Sequence, residues 1–71
     1  MEEFMNNSNN PMNLKFIETY LRDGADSDKY SVMKNELYRH GYSRWQLIGL
    51  LVEGHLYGDL DNFYRKHPTL R

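Results

Sequence analysis

Between Ser43 and Gly58 the chain reads SRWQLIGLLVEGHLYG, a helix start signal running straight into the chain's richest aliphatic stretch. Ser43 with Gln46 three residues on fits a capping box, in which each side chain answers the other's orphan backbone N–H. Trp45, Leu47, Ile48, Leu50, Leu51, Val52 and Leu56 then cover more of a helical wheel than one core-facing stripe. A helix this apolar needs cover on nearly every side, and a chain of 71 residues has little to cover it with. Cysteine is absent, so no disulfide can staple the fold and no thiolate zinc site exists. Two arrangements satisfy the pattern. The helix is either sandwiched by the rest of the chain, or sits on the core by one face and offers the other to a partner.

The remaining signals are also helical. Residues 1–10 are polar and asparagine-rich and read as a mobile tail, in which Phe4 and Met5 are the only bulky apolar pair. Asn10 before Pro11 reads as an N-cap with proline at the first helical position. Leu14, Ile17 and Leu21 recur at helical spacing, with Phe16 and Tyr20 on the adjoining stripe, and Gly24 stops the helix. Ser27 or Asp26 caps a second helix bearing Tyr30, Met33 and Leu37 on one face, ended at Gly41. A Schellman ending there would return Tyr42 onto Leu37. Gly58 ends the third helix, Asp59 caps a short fourth from Leu60 to Lys66, and His67 with Pro68 closes it. No strand period or hairpin signal is present. The expected fold is all-α: a small three-helix bundle with a short C-terminal fourth helix over residues 11–67, and a C-terminal tail over 68–71.

Hydrophobic content of 39%, with 14% aromatic, is enough for a folded domain. The net charge of −1 lowers the expectation of nucleic-acid binding through the overall field. The longest uncharged apolar run, Trp45 to Val52, falls far short of the roughly 20 residues a membrane span requires. The acidic N-terminus does not resemble a signal peptide, so the expected location is cytoplasmic. His40, His55 and His67 lack the i, i+4 spacing of a helical metal pair, and Asp23, Asp26 and Asp28 do not complete a calcium loop. Ser31, Ser43 and Thr19 have no evident His–carboxylate partners, and no glycine-rich phosphate cradle occurs. No catalytic, cofactor-binding or metal residue is assigned.

Two features point to binding. Gly49 and Gly54 each cost about 1 kcal/mol inside a helix, so they mark a kink, an early end or a close approach by another helix. Six tyrosines, three phenylalanines and Trp45 exceed what so small a core encloses. Tyrosine, tryptophan and arginine are the residues that most often anchor interfaces. The interface candidates are Tyr38, Arg39, Tyr42, Arg44, Trp45, Ile48, Leu51, Val52, Leu56, Tyr57 and Tyr64. The sequence therefore suggests a non-catalytic protein-interaction module, a small regulatory or inhibitory adaptor that self-associates as a homodimer or higher through its third helix. The alternative is a helix–turn–helix DNA-binding regulator built on helices two and three, with Arg39, Arg44, Arg65 and Lys66 as its cations. A recognition helix needs Arg, Lys, Asn or Gln along its outer face, and here only Arg44 and Gln46 are placed for that.

Overall fold

The computed structural model describes residues 10–70. They form four α-helices and no strand: α1 (Pro11–Asp23), α2 (Asp28–Arg39), α3 (Arg44–Tyr57) and the short α4 (Leu60–Lys66). Pro68–Leu70 add one 3₁₀ turn where only a tail was expected. The N-terminal tail lies outside the described residues, apart from Asn10.

Local chemistry fixes the helix ends. The Asn10 side chain accepts the Met12 N–H at 2.8 Å, and Ser27 Oγ accepts the Tyr30 N–H at 3.1 Å. At α3 the capping box is complete: Ser43 Oγ accepts from the Gln46 N–H at 3.2 Å, and Gln46 Oε1 accepts from the Ser43 N–H at 2.7 Å. Asp59 Oδ1 caps α4 through the Asn62 N–H at 2.8 Å. The α2–α3 turn is a Schellman motif. Gly41, at φ +93°, donates to the Tyr38 carbonyl and Tyr42 donates to the Leu37 carbonyl, both at 3.0 Å. That turn is only four residues long, and it sends α3 back across α1.

The central helix is α1, which packs against each of the other three. In the fold it is buried almost all round, with Leu14, Phe16 and Ile17 joined by the polar Asn13, Glu18 and Thr19. Burying polar groups requires partners, and each has one. Tyr42 OH donates to Asn13 Oδ1, which ties the α2–α3 turn to α1. Tyr64 OH donates to Glu18 Oε2, which ties α4 to α1, while Arg22 and Lys15 lie 3.7 and 3.9 Å from the same carboxylate. Thr19 donates back to the Lys15 carbonyl at 2.8 Å. Around these, Phe16 meets Tyr30 with ring centroids 5.3 Å apart, and Phe63 meets Tyr57 edge-on at 5.1 Å.

The arrangement assigns Gly54 a packing role. A Cβ built there would lie 3.0 Å from Tyr20 Cδ2 and 3.6 Å from Ile17 Cγ2, so the α1 side chains pack directly onto the Gly54 backbone. Gly54→Val should therefore destabilise the fold by about 1–3 kcal/mol through overpacking. Gly49 has nothing within 4 Å of its built Cβ. Gly49→Ala should raise the stability of the dilute monomer by up to about 1 kcal/mol, since helix propensity improves and nothing clashes. Urea denaturation of the two variants should move the midpoint in opposite directions; a shift of the same sign in both refutes this division of roles.

Candidate functional site: the outward face of α3

Because α1 occupies the centre, α3 lies on the periphery and only one of its sides is covered. Leu47, Leu50 and Gly54 form that covered side. At about 100° per residue, Ile48, Val52, Trp45, Leu56 and Gly49 fall in one sector on the opposite side, about 180° from it. Trp45 and Leu56 are each 79% exposed, Val52 54% and Ile48 42%. With apolar residues on two opposed faces, α3 has almost no net amphipathicity, unlike α1. The sequence pattern could not be split into faces for this reason.

The outward sector contains no charged side chain. Arg44 and the exposed His55 border it along one edge, and Glu53 and Gln46 along the other. Its floor is not flat. Ile48, Leu51, Val52, His55 and Leu56 line an apolar depression open to solvent. The patch leaves on the order of 500 Å² of apolar side chain in water, near the top of the range for the largest patch on a monomer.

The other interface candidates divide sharply. Tyr42 and Tyr64 are half-buried and their hydroxyls serve α1, as above. Tyr57 is half-buried too, with its hydroxyl 2.8 Å from His67 Nε2. Leu51 sits at the boundary, packed on the core and lining the depression. Tyr38 and Arg39 are exposed on α2, away from the α3 stripe, and Arg39 Nη1 lies 3.7 Å from Glu36. The sequence identified aromatic residues near helix ends. It could not tell which of their hydroxyls were already engaged, because the partners are up to 46 positions away along the chain.

Burial pushes the phenols of Tyr30, Tyr42 and Tyr57 above their ordinary pKa, and the hydrogen bond to Glu18 does the same for Tyr64. All four lie on the core side of the molecule and describe packing rather than a reactive centre. His40 Nε2 is 3.4 Å from Glu36, and His67 closes α4 against Phe63 with ring centroids 5.2 Å apart. Among the described residues no group of three or more His, Asp or Glu side chains is placed to hold a metal ion. No described helix is long and apolar enough to cross a membrane. Comparison with protein-family models, with curated proteins and with solved structures returned no match.

Proposed function

We propose that this chain is a non-catalytic protein-binding module, a small cytoplasmic regulatory or inhibitory adaptor that docks through the outward face of α3. One observation carries the reading: four large apolar side chains stand in water on the side of α3 opposite its core face, with no charge among them. Folding leaves much of that stripe in water, and burying it against another surface gains roughly 25 cal/mol for every Å² removed from water. Aromatic and aliphatic anchors at the centre with charged residues confined to the rim is the composition of a protein interface. It is a poor groove-reading surface. A helix entering the major groove presents donors and acceptors to base edges, and this one presents Trp45, Ile48, Val52 and Leu56.

The test separates docking from folding. Trp45→Ala should change the unfolding free energy by less than about 0.5 kcal/mol, because the indole makes no core contact of consequence. A photo-activated cross-linking side chain at Val52 should form adducts with protein in the cells that make the chain. The same group at the exposed Lys29 on α2 should form none above background. Equal labelling at both positions, or labelling at neither, overturns the reading. A Trp45→Ala variant that unfolds would equally overturn it, by showing that the stripe belongs to the core.

A further inference from the structure

We infer that the surface covering this face is the same face of a second copy, with the two α3 helices crossing antiparallel about a two-fold axis at the level of Leu50. The inference rests on the docking reading above and names its occupant. Packed helices insert each side chain of one into a hole bounded by four residues of the other, at i, i+3, i+4 and i+7. Ile48, Leu51, Val52 and His55 have that spacing and line the apolar depression on α3. One step towards the N-terminus, Trp45, Ile48, Gly49 and Val52 have it again. There the empty space over Gly49 deepens the hole.

The side chains that would fill these holes are the stripe's own. Under one antiparallel register, Ile48 of the copy faces the first hole and Val52 of the copy faces the second. Trp45 then lies beside Leu56 of the copy, so the two most exposed residues cover each other at both ends. A parallel pair would set two helix N-termini, each carrying Arg44, side by side; the antiparallel pair keeps these positive ends apart. Two such patches together bury on the order of 1,000 Å², the lower limit for a specific interface and the size of a weak, reversible one. Gly49 acquires a role that the monomer does not give it: it admits the branched side chain of Val52 from the opposite helix.

Sedimentation equilibrium on the full chain, from low to high micromolar, tests the occupant. The expected result is a monomer–dimer equilibrium that Ile48→Asp weakens at least about 100-fold, because each dimer carries the substitution twice. Helical circular dichroism of that variant should be unchanged, since Ile48 is partly in solvent already. Orientation is tested by mixing an Arg44→Cys chain with a His55→Cys chain under mild oxidation, the parent having no cysteine of its own. The antiparallel pair gives the mixed disulfide; a dimer that forms without it overturns the arrangement. A chain that stays monomeric throughout overturns the second copy as occupant, while cross-links from Val52 to a different protein would still support the docking surface. A dimer indifferent to Ile48→Asp overturns the assignment of the pairing to α3.

Discussion

Phe16→Ala should remove roughly half of the chain's folding stability. Phe16 is fully buried at the middle of α1, stacked beside Tyr30 and inside the cluster shared by all four helices. Removing a buried phenylalanine ring costs about 3–5 kcal/mol, part lost transfer energy and part residual cavity. A 71-residue domain has only about 4–10 kcal/mol in total at typical stability per residue, and no disulfide holds this one together. The measurement is far-ultraviolet circular dichroism with a urea titration beside Trp45→Ala. Phe16→Ala should unfold at a far lower urea concentration, and Trp45→Ala should superimpose on the parent. The contrast is informative because hydropathy alone ranks these residues the other way: the tryptophan lies in the most apolar helix, and Phe16 in a mixed one. Comparable losses from both variants would place α3, not α1, at the centre of the fold.

Raising the pH above about 10 should lower the stability of the folded protein. Tyr30, Tyr42, Tyr57 and Tyr64 all have raised phenol pKa values in the folded chain. The main cause is burial in the first three, with Glu53 adding to it at Tyr57, and the hydrogen bond to Glu18 in the fourth. A raised acid pKa means that the folded state holds its proton more tightly than the unfolded state. Below the ordinary phenol pKa both states are protonated, and the contribution to stability is fully present. As the pH climbs past it the unfolded chain ionises first, and stability falls until the folded pKa values are passed. Four groups acting in the same direction make the loss steep. Tyrosinate absorbance and helical circular dichroism should therefore change together, and Tyr30→Phe should flatten the transition by removing one of the four protons. Complete tyrosine ionisation with the helical signal intact would show that these phenols are not held by the core. Tyr42 and Tyr64 bear most directly on the fold, because ionising them breaks the bonds that satisfy Asn13 and Glu18 inside α1.

Much of the fold was legible from one line of sequence, and the reason is local. A cap needs only a side chain within three residues of the groups it satisfies. Asn10, Ser27, Ser43 and Asp59 therefore announced four helix starts, and Gly24, Gly41 and Gly58, each at positive φ, announced three stops. The candidate site was legible only as a list. Trp45, Ile48, Val52 and Leu56 were on it, together with Tyr42, Tyr57 and Tyr64, whose hydroxyls the fold uses internally.

The sequence by itself determined that the chain is helical, where each helix begins and ends, and that its third helix is too apolar for a single core face. Only the tertiary structure decided which helix lies at the centre. Of the three polar residues buried on α1, Thr19 is satisfied within the helix, whereas Asn13 and Glu18 are satisfied by Tyr42 and Tyr64 arriving from distant parts of the chain. With α1 surrounded, α3 is left on the flank with Leu47 and Leu50 turned inward and an equally apolar stripe turned out. Periodicity could not choose between two opposed faces of similar hydrophobicity. Gly54 lies on the inward face, where the side chains of Tyr20 and Ile17 occupy the space that a Cβ would need.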